Sequence, residues 1–269
     1  MSWPVFVLRD SLAAGYEGLE YGYGMKHSVF IPGSSDDPGV RAVATQAVDM
    51  IANGARIGLG SGRAASLFIT LLGAKIRDGF SVSGVPTSEA VATLARKAGI
   101  ALIDFEAGEM LDLTVDGADE VAPELDLIKG WGGALVRERI VAAASETQVI
   151  LVGEDKLVRT LGERGRIPVE VIPLAAGLVT HDLGALGLVP TRRLDADGLK
   201  PFITENGNCI IDCALSNPLS NAIEARNLER EILGLVGVVD TGLFLGTADK
   251  VLVGRANGRV DTLLRPQTP

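Results

Sequence analysis

The feature that most constrains this chain is an alternation. Short apolar runs end in glycine or acidic turns, and each is followed by a segment with helical apolar spacing. Ser34-Ser35-Asp36-Asp37-Pro38 places capping side chains and a proline where a helix starts. Val40, Val43, Ala44, Ala47, Val48 and Ile51 then recur at helical spacing until Asn53-Gly54. The pattern predicts a strand over 56–59 that runs into Gly60-Ser61-Gly62, then a helix to about Arg77. A strand over 80–85 and a helix opened by Thr87-Ser88-Glu89 follow. Extended runs come next at 100–104, 113–115 and 125–128, then a helix over 134–145 and a strand over 148–152. Such alternation predicts an α/β fold, a Rossmann-like, mostly parallel sheet covered on both faces.

Past Arg166 the pattern changes. Strands are predicted over 168–172, 189–194, 202–205 and 209–214, with Asn206-Gly207 as a hairpin turn and helices over 175–186 and 217–233. This β-α-β-β-α order predicts a second, smaller α+β domain of ferredoxin-like type, inserted before the C-terminal strands. Residues 238–245 and 250–253 are expected to return the chain to the first sheet. The expected division is an N-terminal extension at 1–33, a catalytic α/β domain at 34–166 and 238–269, and the small domain at 167–237.

Charge and composition narrow the function. The 269 residues carry a net charge of −9, which argues against a nucleic-acid partner. An anionic ligand must then be held by local groups. The 33 glycines exceed ordinary usage, pointing to tight turns and close backbone approach to a ligand. No run approaches the roughly 20 apolar residues of a membrane span. Met1 to Leu8 lacks the basic lead of a signal peptide, and two cysteines make no disulfide framework, so a cytoplasmic protein is expected. Cys209 and Cys213 share one strand face and are expected in the core.

Three segments carry the chemistry. Gly58-Leu59-Gly60-Ser61-Gly62-Arg63 lies between a strand and a helix, where backbone N–H groups and the helix N-terminus favour an anion and Arg63 adds a fork. Its spacing is neither the dinucleotide fingerprint nor a P-loop. Packing alone is the competing explanation for its glycines. Asp112-Leu-Thr-Val-Asp116-Gly117-Ala118-Asp119-Glu120 delivers carboxylates at a strand's C-terminal end, where open α/β sheets bind ligands. A surface turn with capping aspartates is the alternative there. Ile128-Lys129-Gly130-Trp131-Gly132-Gly133-Ala134-Leu-Val-Arg137-Glu138 sets a lysine before a glycine turn and a glutamate in the following helix. Glu138 is a candidate general base; a solvated helix glutamate is the alternative. The two histidines, His27 and His181, sit in no motif, so His-based triads and metal sites are not expected. Carboxylates and a lysine suit proton transfer beside a carbonyl, with a cation stabilising the oxyanion.

Taken in order, these segments resemble ribose-5-phosphate isomerase of type A over roughly residues 36–265. The resemblance rests on Gly58-Leu-Gly-Ser-Gly62, Pro86-Thr-Ser-Glu89, Val115-Asp-Gly-Ala-Asp-Glu120 and Leu127-Ile-Lys-Gly-Trp-Gly-Gly-Ala-Leu-Val-Arg-Glu138. Asp155-Lys156-Leu157-Val158, Pro168-Val-Glu-Val-Ile-Pro173 and Asn206-Gly-Asn208 with Asp212 extend it. It implies a metal-free, cofactor-free aldose–ketose isomerase acting on a phosphorylated pentose through an enediolate. Glu138 matches the family's base, Asp116 a residue for ring opening and hydroxyl protons, Asp119 an orienting acid and Lys129 the oxyanion partner. Ser61, Gly62, Arg63 and Ala64 match a substrate loop. Gly117, Ala118, Gly130, Trp131, Gly132 and Lys156 are expected to line the sugar. A homodimer or homotetramer is implied, with no nucleic acid or membrane partner.

The chain departs from the family where Arg63 and Ala64 replace two hydroxyl residues of the loop and Trp131 replaces a glycine. Glu154-Asp155-Lys156 also lacks the serine usual before the lysine. These departures leave open an isomerase of another sugar phosphate. A non-catalytic sugar-phosphate sensor would carry a DNA-binding domain, and an acyl-CoA transferase relative would carry an extended CoA site; neither feature is in the sequence.

Overall fold

The computed structural model describes residues 37–105 and 110–265. The expectations for 1–33 and His27 lie outside these residues. Asp37 opens α1 (Pro38–Asp49), its Oδ1 accepting the Gly39 and Val40 N–H groups at 2.9 and 3.2 Å. The predicted alternation follows as β1 (Arg56–Leu59), α2 (Gly62–Arg77), β2 (Ser83–Pro86), α3 (Glu89–Ala98), β3 (Ala101–Leu102) and β4 (Leu113–Asp116). Next come the short β5 (Glu120–Val121) and β6 (Leu127–Ile128), then α4 (Leu135–Ala143) and β7 (Gln148–Gly153). The second half comprises β8 (Arg166–Val171), α5 (Ala176–Ala185), β9 (Val189–Arg192), β10 (Cys209–Ala214) and α6 (Ala222–Leu233). It closes with β11 (Val238–Thr241), β12 (Leu243–Phe244), β13 (Lys250–Gly254) and β14 (Val260–Leu264).

The large sheet has seven strands in the order β14-β13-β7-β4-β1-β2-β3, all parallel except β14. From β3 inward, the strand order runs down to β1 and then jumps to β4, so the winding direction reverses between β1 and β4. That is the doubly wound arrangement, in which ligands bind beyond the carboxyl ends of the strands at the reversal. Both faces are covered, as a parallel sheet requires. Along β7, Val149 and Leu151 enter the core shared with α1 and α2, while Ile150 and Val152 enter a second core with Leu135 and Phe244. β14 escaped the sequence pattern, although Asn257-Gly258 before it is a hairpin turn with Gly258 at φ 80°.

The smaller unit is a four-stranded antiparallel sheet in the order β11-β8-β10-β9. α5 and α6 pack with one face, where Ile167, Val169, Val171, Ile211 and both cysteines, Cys209 and Cys213, are buried as expected. The opposite face carries the charged Glu170 and Asp212. One expectation is corrected here. Residues 238–241 do not rejoin the large sheet but pair with β8, Thr241 lying opposite Val169. The ferredoxin-like order leaves one edge of β8 open after α6, and the next strand fills it. Leu243–Phe244 likewise pairs with β6 in a separate three-stranded sheet, and only β13 returns as predicted.

Two further elements differ. α6 begins at Ala222 rather than 217, because Asn221 caps the Ile223 and Glu224 N–H groups at 2.9 and 3.0 Å. The strand predicted over 202–205 is reduced to an isolated bridge between Ile203 and Cys209. The buried Glu170 draws this segment in, its Oε1 accepting from the Thr204 hydroxyl and the Asn206 and Asn208 amides at 2.9, 3.0 and 2.8 Å.

Candidate active site

The glycines after β1 are there for close approach. A Cβ on Gly60 would stand 2.2 Å from the Asp116 carboxyl carbon, and one on Gly58 would stand 2.0 Å from the Thr114 hydroxyl oxygen. The β1 end therefore lies directly against the β4 end. Gly62 takes φ 88°, which opens α2 without strain. Ser61 precedes α2 but its side chain makes no cap, so among the described residues the first N–H groups of a long helix have no side-chain partner from it.

The predicted carboxylates and lysine converge at this point. Asp116 Oδ1 accepts the Ser61 and Gly117 N–H groups at 2.8 and 2.7 Å, and its Oδ2 accepts Lys129 Nζ at 2.9 Å. Lys129 Nζ also donates to the Gly117 carbonyl at 2.6 Å and lies 3.2 Å from Glu138 Oε2. It stands 5.5 Å from the centre of the Phe244 ring. Glu138, in the first turn of α4, accepts the Ser61 hydroxyl on Oε1 at 2.6 Å, while its Oε2 accepts no hydrogen bond among the described residues. Asp119 Oδ2 accepts the Trp131 N–H at 2.9 Å.

Burial governs the electrostatics. It raises the Asp116 carboxyl from 3.8 to about 6, against the lowering effect of the Lys129 charge. Burial also raises Asp119. For Lys129, burial favours loss of the proton, but the Asp116 and Glu138 carboxylates outweigh it and hold the ammonium above the ordinary lysine value. The cluster thus keeps a largely buried cation beside the Glu138 carboxylate.

A cavity of about 830 Å³ opens over this cluster. Of the residues singled out in the sequence, Ser61, Gly62, Arg63, Ala64, Gly117, Ala118, Asp119, Lys129, Gly130, Gly132, Glu138 and Lys156 all line it. Two predicted residues do not. Asp116 has no exposed surface and sits beneath the floor, because each of its oxygens is used on Ser61, Gly117 or Lys129. The Trp131 indole turns outward, donating Nε1–H to the Arg166 carbonyl at 2.9 Å and packing between Arg166 and Lys156. Its contact with the cluster is through the backbone N–H, which donates to Asp119. Arg63 lines the mouth and pairs with Asp37 at 3.4 Å, its side chain 59% exposed.

Sequence reasoning missed the far wall. Phe202, Ile203, Glu205 and Asn206 come from the small unit. Arg137 Nη1 reaches Glu205 at 2.5 Å and its Nε reaches Asn206 at 3.0 Å. The Glu205 carboxylate accepts the Glu89 N–H at the start of α3. The available signal was Asn206-Gly-Asn208, read above as a hairpin turn and as part of the family resemblance but not as a site segment.

Residues 83–258 match the sequence profile of Ribose 5-phosphate isomerase A (phosphoriboisomerase A). Ribose-5-phosphate isomerase A 1 of Oceanobacillus iheyensis is 43% identical over 215 residues, covering 80% of this chain and 93% of that protein. The chain belongs to the ribose 5-phosphate isomerase A family. Its activity is accordingly that of an isomerase interconverting ribose 5-phosphate and ribulose 5-phosphate, and the sensor and acyl-CoA transferase readings fall away. Among solved ribose 5-phosphate isomerases, that of Methanocaldococcus jannaschii superposes with a TM-score of 0.79 at 42% identity, covering 86% of this chain and 100% of the other. A D-ribose-5-phosphate isomerase in complex with phospho-erythronic acid gives 0.79 at 36% identity, covering 84% and 97%. The ferredoxin-like addition to a doubly wound sheet is thus the family's architecture.

Proposed function

We propose that the isomerisation runs through an enediolate with Glu138 as the base that carries the proton between C2 and C1. The observation that carries this reading is the buried cluster of Ser61, Glu138, Lys129 and Asp116 at the sheet's reversal point. Glu138 Oε2 faces the Lys129 ammonium at 3.2 Å but accepts no hydrogen bond among the described residues, which leaves it able to take a carbon-bound proton, while Ser61 orients the other oxygen. As that proton leaves C2 of the open-chain aldose, charge develops on O1, and Lys129 stands ready as its electrostatic partner. Reprotonation at C1 by the same carboxyl gives the ketose. The hydroxyl proton must move from O2 to O1, and Asp119, raised by burial and facing the cavity, is the group suited to relay it. Asp116 then acts through Lys129 and the Ser61 backbone rather than on the sugar, a change from the role implied by resemblance. The reading invokes no metal or cofactor, since Lys129 supplies the cation.

The phosphate end is read as held by Arg63, Lys156 and the N–H groups at the start of α2, which the chain's negative net charge makes necessary. The solved relative in complex with phospho-erythronic acid supports the enediolate reading: a phosphorylated sugar acid presents a planar carboxylate like the two oxygens of an enediolate. We further propose a cytoplasmic homodimer or homotetramer, in which 34–166 and 238–269 carry catalysis and 167–237 form the small domain, with Val238–Thr241 lent to the small sheet.

The test is ribose 5-phosphate isomerisation by the purified, metal-free protein and its Glu138→Gln variant. Turnover in the wild type with a loss of about 10²–10⁴-fold in the variant is expected. Near-normal turnover in Glu138→Gln would sink the assignment.

A further inference from the structure

The turn that presents Lys129 to the cavity is nearly all glycine. Gly130 and Gly133 take φ 97° and 89°, and Gly132 adds a third position with no side chain to anchor it. Such a turn has many conformations available and must be fixed from outside.

Arg193, just past β9 in the small unit, supplies that fixation. It lies outside the cavity wall, and its side chain is only 8% exposed. Its Nη1 donates to the carbonyls of Gly130 and Trp131 at 3.1 and 3.0 Å. Its Nε and Nη2 donate to the two oxygens of Asp212 on β10 at 2.9 and 2.5 Å. Arg166 lies 2.9 Å from the same carboxylate. On the other side of the clamped peptide units, the Trp131 N–H donates to Asp119, and Lys129 directly precedes Gly130.

We infer that Arg193, locked by Asp212, is a positioning residue of the isomerase. It sets the Gly130-Trp131 peptide planes and so the placement of Lys129 and Asp119 against the sugar oxygens. The geometry needs a guanidinium: one edge of the planar fork grips a carboxylate while the other nitrogen reaches two carbonyls, which a single ammonium cannot reproduce. The small unit therefore takes part in catalysis through this contact. The inference rests on the reading of Lys129 and Asp119 as groups that face the reacting oxygens.

The experiment is kcat and KM on ribose 5-phosphate, with the thermal transition, for wild type, Arg193→Met, Arg193→Lys and Asp212→Asn. Loss of sub-ångström placement predicts a fall in kcat of about 10- to 100-fold in Arg193→Met, smaller in Arg193→Lys, with KM changed by less than about threefold. A folded Arg193→Met with wild-type kcat, or an effect confined to KM, overturns the inference. Should that variant not fold, Asp212→Asn decides, since it keeps the shape and removes only the charge; wild-type kcat there also overturns it. A wild type without turnover would fail the catalytic reading itself, whereas an active wild type with unaffected variants fails this inference alone.

Discussion

Gly60 and Asp116 occupy one space: a Cβ on the glycine would lie 2.2 Å from the carboxyl carbon and 2.4 Å from the Asp116 Cα. The obstruction is backbone as well as side chain, so it cannot rotate away. Gly60→Ala must push β1 and β4 apart at the carboxyl ends that build the site. A destabilisation of about 1–3 kcal/mol is expected from the overpacking, visible in urea unfolding. Because the Ser61 N–H bond to Asp116 is displaced with it, kcat is expected to fall further than the unfolded fraction explains.

Asp116 also makes a pH prediction. Its carboxyl titrates near 3.8 when unfolded and at about 6 in the fold, so the native state binds that proton more tightly, by about 3 kcal/mol. The folded chain thus holds more protons than the unfolded one between these values, and this contribution to stability is lost as pH rises through 6. Asp116→Asn cannot titrate. Its stability relative to wild type is expected to improve by about that amount from roughly pH 4 to pH 7, measured by denaturant unfolding. A constant difference would show that Asp116 keeps an ordinary acidity.

Arg63 tests the phosphate end. It lines the cavity mouth, and Asp37 is the only ion-pair partner it has among the described residues. Arg63→Ala is expected to raise KM by about tenfold or more while leaving kcat within a few-fold, since the lost contact is present before and during proton transfer. Equal KM values would show that the arginine points elsewhere in the complex. The exposed Arg63–Asp37 pair itself is worth little, so stability should not move.

Trp131 is expected to behave as a packing residue. Its indole bonds the Arg166 carbonyl and fills the space beside Gly165, where a Cβ would meet the ring at 2.9 Å. Trp131→Phe should cost about 1 kcal/mol of stability from the lost hydrogen bond, with KM for ribose 5-phosphate unchanged. A shift of KM alone would place the ring in the substrate's path.

Much of the site could be read along the chain because it lies where strands end. Gly58-Leu-Gly-Ser-Gly62, Asp116 to Glu120 and Lys129 to Glu138 each pair a local turn with a local helix or strand, and the carboxyl ends of a doubly wound sheet bring them together. Where those side chains point was not local. Asp116 and Asp119 are three residues apart, yet one is sealed under the floor and the other faces the cavity. That difference comes from Lys129 and Ser61, which bracket only the former. Trp131 was expected against the sugar, but the space beside Gly165, 34 residues along, drew the ring away.

The same division holds for the fold. Apolar periodicity and turn chemistry within short windows determined the helices, most of the strands and the doubly wound class, since propensity acts over a few residues. Val238-Val-Asp-Thr241 has a pattern that suits either sheet. Only the open edge of β8, brought near by α6, decided that it joins the smaller one. Arg137 with Glu205, and Arg193 with the Gly130-Trp131 carbonyls, likewise join residues more than 60 positions apart. No local energy term encodes such contacts. They follow from which buried polar groups find partners once both sheets have packed, and the tertiary structure alone settles that.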